Sequence, residues 1–144
     1  MTDFVLRQFV YPNDYASALA LWQSAGDGIG IGPSDEPEEI EKKCQRDPDL
    51  FLVAEHGGRI IGSVIGGFDG RRGMIYHLAV APEYRRQGLA NCLMDEIEAL
   101  LREKGCRRAY LLVKKGNDVA ELFYEARGWS GMNSSIDLYG KNLA

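Results

Sequence analysis

A surplus of basic residues is the first thing missing from this sequence. Lysine and arginine number 17 against 21 aspartates and glutamates, a formal net charge of -4. No general affinity for a nucleic-acid backbone is expected from that balance. Cysteine is sparse too: Cys44, Cys92 and Cys106 make an odd count with no CxxC pair. That excludes a disulfide framework and a zinc knuckle, and no metal is expected. Only two histidines occur, His56 and His77, and no motif places either beside a cysteine as a nucleophilic dyad. No apolar run approaches about 20 residues, so no membrane partner is expected. The opening MTDFVLRQFV has no basic stretch followed by an apolar run, so no signal peptide is expected. A reducing, cytoplasmic setting fits the thiols. Repeats, low-complexity tracts and linkers are absent as well. The 144 residues are expected to form one domain, 1–144, long enough to bury a core without staples.

What is present is a periodic pattern. DFVLRQFV (3–10) alternates as a strand does. A helix follows Pro12 and Asn13, with Tyr15, Ala18, Leu19 and Trp22 on one face. GDGIGIGPSDEPEE (26–39) reads as a loop, and Ser34 or Asp35 as the cap of an acidic helix running to about Arg46. LFLVAEH (50–56), Gly57-Gly58 and RIIGSVIGGF (59–68) make a hairpin. Asp69-Gly70 marks a turn before the strand GMIYHLAV (73–80). Leu89, Leu93, Ile97, Leu100 and Leu101 recur at helical spacing, and Gly105 ends that helix. RRAYLLV (107–113) reads as a strand, NDVAELFYEARG (117–128) as a short helix and SSIDLYGK (134–141) as a last strand. The expected fold is α/β (α+β): a mixed, mostly antiparallel twisted sheet of six or seven strands with four helices on its faces. The strand-helix-strand unit 73–113 supplies its parallel pair.

Between that strand and helix lies PEYRRQGLAN (82–91). Gly88 lets a ligand approach the backbone closely. The helix starting there offers unpaired N–H groups and the positive end of its dipole. Arg85 and Arg86 add forked donors suited to phosphate. A polar turn before an amphipathic helix is also a common thing to find. Its position beyond the carboxyl end of a parallel strand is what favours a diphosphate site.

Residues 78–129, LAVAPEYRRQGLANCLMDEIEALLREKGCRRAYLLVKKGNDVAELFYEARGW, resemble the core of the GCN5-related N-acetyltransferase (GNAT) superfamily. Its hallmark Arg/Gln-x-x-Gly-x-Gly/Ala is met by Arg85, Gly88 and Ala90. Leu78, Val80 and Pro82 meet the preceding Leu-x-Val-x-Pro, and Asn117 with Phe123 through Trp129 meets the later block. LFLVAEHGGRIIGSVIGGFDGRRG (50–73) is similar to the small bacterial YpeA-like acetyltransferases.

The resemblance implies acetyl-coenzyme A as donor and a small-molecule or peptide amine as acceptor. The pyrophosphate would sit on Arg85, Arg86, Gln87, Gly88, Leu89 and Ala90. The pantetheine arm would lie along Leu78, Ala79 and Val80 like an added strand, between parallel strands splayed apart. Asn117 and Phe123 would contact the cofactor; Asn117 also suits a helix cap. A backbone N–H, such as that of Val80, would hold the developing oxyanion. Tyr124 would donate toward the leaving thiolate. Because tyrosine (about 10) lies above a free thiol (about 8.5), this is a hydrogen bond rather than full proton transfer.

Strand 73–80 has none of the family's occasional carboxylate bases. Tyr76 and His77 are its titratable candidates, with water as the alternative. Alternation puts Tyr76 on the side of Leu78 and Val80 and turns His77 away, unless a bulge intervenes. The missing base favours an acceptor amine of low pKa. GDGIGIG (26–32) imitates a nucleotide loop, but it follows a helix, and by resemblance it forms a mobile lip at the acceptor entrance. SDEPEEIE (34–41) is a solvated helix start or an attractor for a cationic acceptor. Lys114 and Lys115 are solvated or near the cofactor. The alternative to an enzyme, monomeric or dimeric, is a coenzyme A-binding regulatory module that no longer catalyses.

Overall fold

The computed structural model describes residues 2–144. The chain falls into two compact units, one ending at Leu112 and the other Val113–Ala144. The first holds a five-stranded sheet in the order β1 (Val5–Gln8), β2 (Phe51–His56), β3 (Arg59–Phe68), β4 (Arg72–Val80) and β5 (Arg108–Leu111). Its helices are α1 (Tyr15–Ser24), α2 (Pro37–Arg46) and α3 (Leu89–Glu103). The second unit holds α4 (Asp118–Ala126). Among the described residues no helix is long and apolar enough to cross a membrane.

The β2–β3 hairpin forms where the sequence places it. Gly57 and Gly58 both have positive φ, 55 and 77 degrees, which a two-residue hairpin turn of matching twist requires. The β3–β4 turn is held by Asp69, whose Oδ1 accepts from the N–H groups of Arg71 and Arg72, each at 2.8 Å. β2 and β3 are buried almost throughout, because helices cover both faces. On one face α3 lays Leu93 and Ile97 over Gly62 and Gly66. A Cβ on Gly66 would stand 2.9 Å from Ile97 Cδ1, so a larger residue there would make the Ile97 side chain shift. On the other face Trp22 of α1 is fully buried beside Phe51, which stacks on Phe9 at 4.1 Å.

Three of the four strand pairings are antiparallel and β4–β5 is parallel. That ladder runs only from Arg72 opposite Arg108 to Ile75 opposite Leu111. β4 then continues to Val80 with no strand partner on that edge among the described residues, the splay that the family resemblance implies.

The sheet has five strands, not six or seven. SSIDLYGK (134–141) forms no strand among the described residues, and Leu138 and Tyr139 are 75% and 91% exposed. Alternation marks which side chains could face a core. A strand also needs a ladder, and within Val113–Ala144 there is none to join.

Candidate functional site

The loop after β4 begins with a tight turn at Pro82–Tyr84, and Tyr84 N donates to Ala81 O at 2.9 Å. Arg86 and Gly88 then take left-handed backbone conformations, φ 63 and 84 degrees. A Cβ on Gly88 would meet nothing within 4 Å. Glycine is thus required by φ rather than by crowding, and the space in front of it is open. The first bond of α3 runs from Cys92 N to Gly88 O at 3.0 Å. The N–H groups of Leu89 and Ala90 therefore lack an intrahelical acceptor, and no side chain caps Gly88. The Leu89 side chain anchors the helix start in the core. Arg86 is exposed. Arg85 Nε reaches back to the Val80 carbonyl at 3.2 Å, and Gln87 Oε1 accepts from Thr2 N at 2.9 Å. The positive loop thus sits at the carboxyl end of β4.

Backbone direction alternates along a strand, so one fixed bond orients its neighbours. Ala81 N donates to Ile61 O on β3 at 2.8 Å. Val80 and Leu78 must then aim their N–H and C=O groups at the unpaired edge, while Ala79 turns toward β3. The Ala79 side chain is buried opposite Ser63.

The alternation of β4 is broken once. Ile65 pairs with Tyr76 and Ser63 with Ala79, so His77 and Leu78 together oppose Val64. This is a β-bulge, and His77 occupies the left-handed region at φ 49 degrees. The bulge is the exception under which His77 need not face away from Tyr76. Tyr76 shares its face with Ala79, not with Val80, and His77 lines the same cleft as Tyr76.

A backbone so placed costs about 1–3 kcal/mol and persists only where its surroundings hold it. Here Trp22 Nε1 donates to the fully buried Ser63 Oγ at 2.9 Å, and Ser63 donates to the His77 carbonyl at 2.8 Å. The Trp22 ring lies 4.7 Å from the imidazole. His77 Nε2 stands 2.7 Å from Asp35 Oδ1.

Asp35 is buried and does not cap α2, whose cap position is Glu36 without a side-chain bond. Its Oδ2 accepts from Gly32 N at 2.9 Å, and its carbonyl accepts from the Tyr15 hydroxyl at 2.6 Å. The acidic segment therefore sends one carboxylate inward, because the turn Pro33–Asp35 points it there, and leaves Ser34, Glu36 and Glu38 exposed. A cleft of about 850 Å³ opens at this point, walled by Gly30 and Gly32, by Glu39 and Lys43 of α2, and by Tyr76 and His77. Burial raises the Tyr76 phenol pKa above its ordinary value.

The other expected residues lie in the second unit. Asn117 caps α4, its Oδ1 accepting from Ala120 N at 3.2 Å. Phe123 and Tyr124 follow on that helix with ring centroids 5.2 Å apart, and Trp129 stands 6.3 Å from Tyr124. Burial pushes the Tyr124 phenol up to about 12. The expected residues thus form two groups, Leu78 to Ala90 in one unit and Asn117, Phe123 and Tyr124 in the other. Lys114 and Lys115 are exposed, and all three cysteines are free thiols.

The Asp35–His77 pair and its Trp22–Ser63 support are not signalled by any local motif. One clue was available. Ser63 is a lone hydroxyl inside an apolar strand, and a buried hydroxyl must find partners.

The profile of the Acetyltransferase (GNAT) family matches residues 17–129. An acetyltransferase of Sodalis glossinidius, SG1711, is 40% identical over 132 residues, 91% of this chain and 90% of the relative. Among solved structures, an acetyltransferase of Streptococcus agalactiae superposes with a TM-score of 0.81 at 18% identity, over 99% of this chain and 94% of the other. The PaiA N-acetyltransferase of Thermoplasma acidophilum, solved in complex with coenzyme A, gives a TM-score of 0.72 at 19% identity, over 88% and 89%.

Proposed function

Because the chain belongs to the acetyltransferase (GNAT) family, we propose that it moves an acetyl group from acetyl-coenzyme A to a primary amine by direct attack. The acceptor is a small-molecule or peptide amine. Residues 1–144 act as one catalytic domain. The reading is carried by one observation: among the described residues the edge of β4 beyond Ile75 has no strand partner, and it leads straight to a helix start whose Leu89 and Ala90 N–H groups lack an intrahelical acceptor. An extended arm ending in a diphosphate matches that pair of features.

Arg85, Arg86 and the backbone from Gln87 to Ala90 hold the pyrophosphate. Leu78 and Val80 bond the pantetheine arm, with Ala79 in the strand between them. By the family resemblance, Asn117 and Phe123 are assigned to the cofactor as well. Bound acetyl-coenzyme A supplies an activated acetyl carbon and a thiol leaving group. The Val80 N–H stabilises charge developing on the carbonyl oxygen. Tyr124 donates a hydrogen bond to the departing sulfur. With its phenol at about 12, complete proton transfer to a free thiolate is uphill by about 3.5 pH units, or ~5 kcal/mol. Tyr124 thus acts by hydrogen bonding as charge builds. A reducing cytoplasm suits the three free thiols.

The test is thiol release from acetyl-coenzyme A in the presence of a panel of amines. Amine-dependent release above the spontaneous rate is expected. Tight binding of the cofactor without release from any amine replaces the reading with a non-catalytic binding module. Tyr124→Phe should lower kcat and leave cofactor affinity alone; an unchanged kcat removes Tyr124 from the chemistry.

A further inference from the structure

The cleft beside the bulge holds a proton-accepting pair that the transfer reading does not use. We propose that His77, oriented by Asp35, is the base that takes a proton from the acceptor, and that the acceptor is an alkyl amine protonated at neutral pH. The proposal rests on the acetyl-transfer reading. Asp35 is a positioning residue.

An ionised carboxylate only accepts hydrogen bonds, so Asp35 Oδ1 at 2.7 Å places the ring proton on His77 Nε2. The neutral ring then carries its lone pair on Nδ1. Among the described residues nothing bonds to Nδ1, and His77 lines the cleft. Asp35 is held in turn by Gly32 N and Tyr15, so the imidazole is fixed from behind as a base in a nucleophilic triad is fixed. The bulge explains why this arrangement is reached from a strand. Without the left-handed turn at His77, the ring would leave the face that Tyr76 and Ala79 share.

The charged surroundings leave the imidazole available. From β4 the neighbouring titratable group is Tyr76, and from α1 the Trp22 ring lies against the imidazole. On α2, Lys43 is bound to Asp47 at 2.8 Å and Arg46 to the Phe68 carbonyl at 2.9 Å. Glu39 is bound to Lys42 at 2.6 Å. Asp69 and Arg72 stand at the β3–β4 turn end of the cleft, and Tyr110 adds a phenol from β5.

The proton balance closes. An ammonium acceptor brings three N–H protons and its product amide keeps one. His77 Nδ1 takes the first proton, freeing the nitrogen lone pair, which forms the C–N bond as the C–S bond breaks. The second proton ends on the departing sulfur, giving the free thiol. His77 returns its proton to water. An acceptor of low pKa is already neutral and has no need of the first step, so the pair points to alkyl amines.

The test compares two acceptors, an alkyl amine and a weakly basic amine that is neutral at the assay pH. His77→Gln should lower kcat/KM for the alkyl amine by about a hundredfold or more and abolish the acid limb of its pH profile. The loss for the weakly basic amine should be far smaller, and acetyl-coenzyme A affinity should hold within about twofold. Asp35→Asn should lower kcat by about tenfold or more, as expected for a ring left free to turn. Because either variant could disturb the fold, the unaltered cleft is read as well. In His56→Gln, His77 is the one remaining histidine, and its imidazole NMR titration should coincide with the acid limb of kcat/KM. Equal losses for both amines, or an NMR midpoint displaced from the kinetic limb, overturn the proposal and leave acetyl transfer standing. Absence of thiol release from the unaltered protein with every amine overturns the transfer reading, and the proposal with it.

Discussion

The two halves of β4 are built by opposite rules. From Gly73 to Ile75 the strand is paired on both edges and alternates regularly. From Tyr76 to Val80 it is paired on one edge, carries a bulge and holds His77 in a left-handed conformation. The first half is fixed by its own ladders. The second is fixed from outside, by Trp22, Ser63 and Asp35. What it leaves open is what the proposed chemistry uses: a free edge for the donor and a displaced side chain for the acceptor.

The sharpest way to break this contrast is Trp22→Ala. Trp22 supports the second half and the core at once, so urea unfolding should show a loss of about 3–5 kcal/mol. A smaller loss would mean that the bulge holds itself.

Ser63→Ala strands the Trp22 N–H and the His77 carbonyl, at a cost of about 1–3 kcal/mol. Hydrogen exchange should quicken in residues 76–80 and stay slow in 72–75. Uniform quickening would erase the distinction between the halves. Gly73→Ala probes the other half. Its Cβ would stand 2.8 Å from the Cys106 sulfur, so chemical denaturation should report a loss of about 1–3 kcal/mol with cofactor affinity unchanged.

Gly88→Ala should do the reverse. A Cβ at φ 84 degrees costs about 1–2 kcal/mol, expected as roughly tenfold weaker acetyl-coenzyme A binding in a titration if the loop is the binding element proposed above. The smallest test compares glycine with alanine at two positions. At His77 glycine should be the more stable by about 1 kcal/mol, since it relieves the left-handed backbone. At Ile75 alanine should lead by about 0.5–1 kcal/mol, since glycine only adds chain entropy to lose. The same order at both positions in thermal melts would deny the strain at His77.

Local signals carried the fold's outline. Gly57-Gly58 and the leucine spacing of α3 each act over a few residues, and each reads correctly from sequence. The membership of Leu78 to Ala90 in one strand-loop-helix unit was legible for the same reason. The bulge was not, because histidine carries no marker for a left-handed φ, and its support comes from residues 14 to 55 positions away along the chain. Neither Ser34 nor Asp35 is the cap that the sequence suggests, because capping is a local habit, whereas the burial of Asp35 depends on where β4 passes. The strand expected at 134–141 failed in the opposite sense. Its alternation is local, but pairing is not.

The strand order has a further consequence, in time rather than in space. β2, β3 and β4 are consecutive in the chain and meet through turns of two and three residues' span, Gly57-Gly58 and 69–71. β1 and β5 must wait for longer loops to close, across α1 and α2 and across α3. Loop-closure entropy therefore favours the central meander as the first structure to gather. The β4 edge would then exist, exposed, before β5 arrives to cover only half of it.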